Sequence, residues 1–266
     1  MTTTSTPSGL GGLLPAEKTT PVNDPSKVKY YLYGAPGVGK TTLASKFRNA
    51  LFLCTEEGVG FLSVYKVTIK DWPTFKAALK EVVDKDPNAE RFGTIVVDTI
   101  DLLFTMCEKF VCETKNIQHP SDLEWGKGWA ALRDEFQIVL SYLSRMKQGL
   151  VLIGHAKVWE KKERGQMITC VQPTLNGTGR RVVLPIVDVI GYVETIEVQD
   201  PKSGALYNKR VIRTEPTDVV EAKDRTGRLP PVMPMEYAAL EAYITGQLDK
   251  TQPWAPQGGA PVQTGK

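Results

Sequence analysis

Gly34-Ala35-Pro36-Gly37-Val38-Gly39-Lys40-Thr41 decides how the rest of the chain is read. An apolar run, Val28-Lys29-Tyr30-Tyr31-Leu32-Tyr33, leads into it, and Thr42-Leu43-Ala44-Ser45-Lys46-Phe47 follows. The octapeptide satisfies G-x-x-x-x-G-K-[ST], the run before it has the composition of a strand, and the stretch after it suits a helix. Glycines at such a strand-to-helix turn let successive backbone N–H groups face inward as an anion cradle. The helix start adds partial positive charge. The segment from Gly34 to Thr42 is therefore expected to bind the phosphates of a nucleotide, ATP, with Mg²⁺. Lys40 reaches the β- and γ-phosphates and the Thr41 hydroxyl holds the metal.

Bulk properties bound what surrounds this loop. The 266 residues suffice for one large α/β domain or two small ones. A net charge of only +3 does not by itself announce a nucleic-acid binder. No apolar stretch approaches the length of a membrane span, so no membrane partner is expected. The first residues, Met1-Thr2-Thr3-Thr4-Ser5-Thr6-Pro7-Ser8, lack the basic-then-apolar plan of a secretory leader. Cys54 falls in an apolar strand and Cys107 and Cys112 in a helical stretch, as small buried hydrophobes. Cys107, Cys112 and His119 fit no zinc spacing. A reducing cytoplasm is the expected setting.

Residues 1–26, rich in Thr, Ser, Pro and Gly, and residues 248–266 are expected to be disordered tails around a core at 27–247. Trp254 is the lone tryptophan of the second tail, a docking residue for a partner or a solvated side chain. Within the core, strands and helices alternate. Leu51-Phe52-Leu53-Cys54, Thr94-Ile95-Val96-Val97-Asp98 and Gly149-Leu150-Val151-Leu152-Ile153-Gly154 read as buried strands. Asp71 is placed to cap a helix carrying Phe75, Ala78, Leu79, Val82 and Val83 on one face. Trp129, Leu132, Phe136, Val139, Leu140, Leu143 and Met146 mark a long amphipathic helix. Continuous apolar strands separated by helices predict an α/β fold, with a mainly parallel central sheet covered on both faces. Val189–Val198 and Arg210–Thr214, joined at Asp200-Pro201-Lys202-Ser203-Gly204, add a C-terminal β-hairpin. A last helix is expected near Met235 to Gln247.

Hydrolysis needs more than a cradle. Asp98 closes an apolar strand, the Walker B pattern, and is the expected second metal-organising group, with Asp101 a nearby alternative. Glu56 follows the strand Leu51–Cys54 and is expected to position or deprotonate water, with Glu57 in reserve. His155, directly after the strand Leu150–Ile153, is expected to sense the γ-phosphate. Lys223 and Arg225 are separated by one residue and point the same way on an extended chain, as a pair of finger cations acting across a subunit boundary. Residues 155–181 hold six cations, Lys157, Lys161, Lys162, Arg164, Arg180 and Arg181, against Glu160 and Glu163, an excess larger than that of the whole chain. With Trp159 among them, this segment reads as a mobile basic loop for single-stranded nucleic acid. It also suits a lid over a phosphorylated small substrate.

Together these motifs resemble a RecA-like P-loop ATPase core, and within that group the phage Sak-type recombination proteins that promote single-strand annealing. The resemblance covers residues 27–247 and rests on Gly34–Thr42, Cys54-Thr55-Glu56-Glu57-Gly58, Thr94–Asp98 and Gly154-His155. Gly177-Thr178-Gly179-Arg180-Arg181 with Leu184–Asp188 is similar to the helix after the DNA loop, and Ala222-Lys223-Asp224-Arg225 to the finger motif. The resemblance implies a DNA-stimulated ATPase that binds single-stranded DNA. It implies self-assembly into a ring or helical filament with nucleotide at subunit interfaces, in the cytoplasm of a bacterial host. A single-strand-binding protein is a further implied partner. His155 stands where RecA proper has glutamine and Cys54 where it has an acid, and only a short tail, rather than a large oligomerisation domain, is expected ahead of the core. The resemblance thus favours annealing or an accessory role over strand exchange. Two rival classes stay open: a nucleotide or small-molecule kinase, and a nucleotide-gated assembly or loading factor that hydrolyses very slowly.

Overall fold

The computed structural model describes residues 17–83, 91–163, 165–200 and 203–254. Its centre is a sheet in the order β10-β8-β7-β1-β5-β4-β2-β3. The strands are β1 (Lys29–Gly34), β2 (Ala50–Cys54), β3 (Tyr65–Thr68), β4 (Thr94–Asp98), β5 (Gly149–Glu163), β7 (Val189–Gln199), β8 (Leu206–Arg213) and β10 (Val232–Pro234). β3, β2, β4, β5, β1 and β7 pair in parallel, while β8 joins β7, and β10 joins β8, antiparallel. β6 (Gln166–Pro173) folds back on the outer half of β5, and β9 (Lys223–Asp224) pairs with the start of β7. This is the α/β arrangement with an added hairpin that the alternating pattern predicts.

Both faces are buried because each central strand carries apolar side chains on alternate sides. Tyr31, Tyr33, Leu53, Val97 and Leu152 face one core. That core is closed by α2 (Trp72–Val83), α3 (Ile100–Lys115), α4 (Lys127–Arg145) and α5 (Gly177–Ile186). Tyr30, Leu32, Phe52, Val96 and Ile153 face the other, beneath the short α1 (Lys40–Ala44) and α6 (Tyr237–Thr245). On the first side Phe136 of α4 meets Phe104 edge-on and lies beside Trp72, whose indole N–H donates to Glu135. On the second, Tyr30, Phe47 and Tyr237 form an edge-to-face chain. Among the described residues no helix is long and apolar enough to cross a membrane.

Three stretches differ from the sequence reading. β5 does not stop at Gly154 but runs to Glu163, and Gly165, just before β6, takes φ +85°. The segment expected to be a mobile loop is therefore a two-stranded ribbon, with Ala156–Glu163 paired residue by residue to Gln166–Pro173. The physical reason is the run Ile168-Thr169-Cys170-Val171 after a turn glycine, three of its four residues β-branched, which supplies a partner strand. Next, the chain is already part of the core at Asp24, which caps Pro25–Lys27, with Ser26 buried. Finally, residues 248–254, read as tail, fold onto α6. The Leu248 N–H donates to Ala242, Tyr243 to the Gln252 carbonyl, and the Trp254 indole to Glu236. Trp254 thus packs against its own chain.

Candidate nucleotide site

Strand register assembles this site. Gly34, the last residue of β1, is paired with His155 of β5, and Asp98, the last residue of β4, with Ile153 of β5 and Cys54 of β2. The phosphate loop, Asp98, the turn after β2 and His155 therefore share one sheet edge, at the carboxyl ends of four neighbouring parallel strands. α/β sheets hold their ligands at that edge.

Gly34 allows β7 to pass close beneath the loop: a Cβ there would lie 2.3 Å from the Val193 carbonyl oxygen. Gly37 and Gly39 take φ of +74° and +105°, which favours glycine and turns the peptide planes. Ala35, Pro36 and Val38 complete the loop. Val38 is buried on the α1 side of the sheet and anchors the loop from beneath. Lys40 is buried and folds back, its Nζ donating to the carbonyls of Gly34 and Ala35 at 2.9 Å each. Burial lowers its pKa, opposed by the negative charges of Asp98, Asp101 and Glu56. The Thr41 hydroxyl donates to Asp98 Oδ2 at 2.8 Å. Burial raises the pKa of Asp98, partly offset by the Thr41 hydrogen bond. A hydroxyl and a carboxylate in contact are the hard oxygen donors that Mg²⁺ accepts. The donor set and the glycine cradle therefore fit a magnesium–nucleotide complex, with Thr41 and Asp98 as the protein's side of the metal site. Thr42 follows in α1 and is exposed.

Glu56 is held toward the same centre. Its Oε1 accepts from Thr99 Oγ1 at 2.9 Å, while the Thr55 hydroxyl donates to the Thr99 carbonyl and accepts from the Thr99 N–H. The two threonines lock the turn after β2 to the turn after β4. Glu57 is exposed. Asp101 is not beside Thr41. It accepts from the His155 N–H at 2.8 Å, and its pKa is raised by burial. Thr174 donates to the His155 carbonyl through both N and Oγ1. His155 is thus clamped between α3 and the end of β6, where the ribbon begins. Thr99 and Thr174, which fix Glu56 and His155, were missed from sequence. A threonine after a strand carries no signal until register brings the turns together.

Other expected residues sit elsewhere. Lys223 pairs with Ile190 at the start of β7, the opposite end of the sheet from the loop, about 10 Å along the strand. Its Nζ donates to the carbonyls of Leu184 and Val187, capping α5, and burial lowers its pKa. Arg225 reaches Asp188 and the Pro185 carbonyl. Neither touches the phosphate loop of its own chain. Arg180 lies on α5, half-buried and bound to Gln172 and Glu221, so it is a structural cation rather than a loop residue. Arg181 is exposed on the same helix. In the ribbon, strand alternation puts Lys157, Trp159 and Lys161 on one face and Lys162 on the other with Glu160. Lys161 is paired with Glu163 at 2.9 Å. Arg164 lies outside the described residues.

A phosphate loop between β1 and α1, an aspartate ending β4 and a strand inserted between them have the layout of a P-loop NTPase. Residues 26–226 match the model of the AAA_24 family, an AAA domain, and the chain belongs to that family. Nucleotide binding and NTPase chemistry, with ATP and Mg²⁺, are the general property of such domains. The chain is also 26% identical over 160 residues to the SPbeta prophage-derived uncharacterized protein YorG of Bacillus subtilis (strain 168). The match covers 59% of this chain and 46% of that protein, so the chain spans about half the length of this relative.

Proposed function

We propose that the protein is an ATP- and Mg²⁺-dependent single-stranded DNA-binding protein of phage recombination, of the Sak annealing type. The observation that carries this reading is the double use of β5. Its first half lies between the phosphate-loop strand and the Asp98 strand, and its second half is the basic ribbon. The nucleotide edge and the candidate DNA surface are consecutive residues of one strand, joined at His155. The prophage relative supports a phage setting.

In this reading Lys40 binds phosphate, Thr41 and Asp98 hold the metal, and Glu56 orients the attacking water. Bound Mg²⁺ supplies charge neutralisation on the phosphates. His155 links the site to the ribbon, where Trp159 stacks on a base and Lys157, Lys161 and Lys162 meet backbone phosphates. Arg225, exposed at the far end of the sheet, can serve only the site of a neighbouring molecule, as in a ring or filament with shared sites. Lys223 would first have to leave its α5 carbonyls.

The test is ATP turnover with and without single-stranded DNA, alongside mass in solution. Stimulation in an oligomer supports the reading. Turnover that requires a small-molecule acceptor favours the kinase, and binding without turnover favours the loading factor. The ribbon gives a sharper expectation. Lys157→Ala with Lys161→Ala should weaken single-strand binding and lower the log–log salt slope by about 1.4, roughly 0.7 per lost phosphate contact. Lys162→Ala alone, on the opposite face, should lower it by half that. An unchanged slope in the double variant removes the ribbon as the DNA surface.

A further inference from the structure

A second arginine approaches the phosphate loop from within the chain. β1 ends at Gly34, opposite Val193 of β7, and Val193 is opposite Ile212 of β8. Val193 and Ile212 both face the core beneath α1 and α6. The next pair on that face is Thr195 with Arg210, one step past the end of β1, where the loop lies. Arg210 Nη1 is 3.2 Å, and the Met235 methyl 3.5 Å, from where a Cβ on Gly39 would stand. The Arg210 carbonyl accepts from the Met235 N–H, so the root of the side chain is pinned by β7 on one side and by the residue after β10 on the other. Its guanidinium makes no hydrogen bond or ion pair with any described residue and is exposed, whereas Arg213, on the opposite face, is paired with Glu194. A pinned arginine with free donors, beside a loop that already carries Lys40, lacks only an anion.

We propose that Arg210 binds the phosphate chain of the nucleotide held by its own subunit. The added hairpin is then part of the nucleotide site, with Arg210 as a cis cation distinct from the trans role proposed for Arg225. The inference rests on the nucleotide reading of the loop. A guanidinium hydrogen-bonded to phosphate is a charge-assisted contact, and its loss costs about ten- to a hundredfold in affinity.

Calorimetric titration with MgADP, and separately with magnesium pyrophosphate, tests this on the full chain. Arg210→Ala should weaken both ligands by about tenfold or more and flatten the salt dependence. Arg210→Lys should recover part of the loss, and Arg213→Ala should bind as the parent does. Thermal unfolding of each variant without ligand checks that the fold is kept. Unchanged MgADP affinity in Arg210→Ala would overturn the proposal, as would a loss confined to MgADP with pyrophosphate unaffected, which would place Arg210 against the nucleoside. If the parent chain binds neither ligand, the nucleotide reading of the loop itself fails, and that outcome is visible before any variant is made.

Discussion

In an Asp98→Asn variant, Mg²⁺-dependent ATP turnover should fall by about three orders of magnitude while the protein without ligand becomes more stable. Both effects come from one carboxylate. Asp98 is buried at the end of β4 and accepts from Thr41, the pair that fits the metal. Removing its charge takes away a ligand worth several kcal/mol to charge neutralisation in phosphoryl transfer. Burial also raises its pKa. A carboxyl with a raised folded-state pKa holds its proton more tightly in the folded chain than in the unfolded one. Its ionisation above that pKa therefore works against folding, and acidification relieves it. The stability advantage of Asp98→Asn over the parent should thus be largest near neutral pH and close as pH falls through the folded pKa of Asp98. Denaturant unfolding at a series of pH values, without nucleotide, reads this. A variant that turns over normally, or is less stable at neutral pH, contradicts the assignment.

Glu56→Gln should lower turnover by about 10²- to 10⁴-fold, the usual contribution of a positioned general base, with nucleotide affinity within about threefold of the parent. Glutamine keeps an oxygen for the Thr99 hydroxyl, so the turn after β2 should persist. Single-turnover hydrolysis alongside a binding titration separates the two quantities. Normal hydrolysis would move the base to Glu57 or elsewhere. A parent chain that already hydrolyses as slowly as the variant would fit the loading-factor class.

What could be read from sequence followed the range of the interactions. The phosphate loop, the strand ending in Asp98 and the parallel sheet depend on local spacing and on apolar runs, so they are visible in the order of residues. The ribbon was half visible. The turn at Gly165 and the run Ile168–Val171 announce a second strand, but the charges of Lys161 and Lys162 drew attention to the residues as a loop. The face each lysine occupies follows only once strand alternation is imposed. Lys223, Arg225 and Arg180 illustrate the remaining difficulty. Their partners are carbonyls of α5, Asp188, Gln172 and Glu221, contacts set by tertiary packing that no spacing rule contains. Arg210 is similar: nothing nearby distinguishes it from Arg213 until β8 is paired with β7.

The four cysteines have a practical bearing on all of this. Cys54, Cys107, Cys112 and Cys170 are free and buried. Burial pushes the Cys54 thiol up to about 11 and raises those of Cys107 and Cys112. Thiols held in that form are poor nucleophiles at neutral pH. A cysteine introduced at an exposed ribbon position such as Lys162 would be the preferred target of a thiol-reactive dye, with no need to strip the native residues. The motions of the ribbon can therefore be followed in the otherwise unaltered chain.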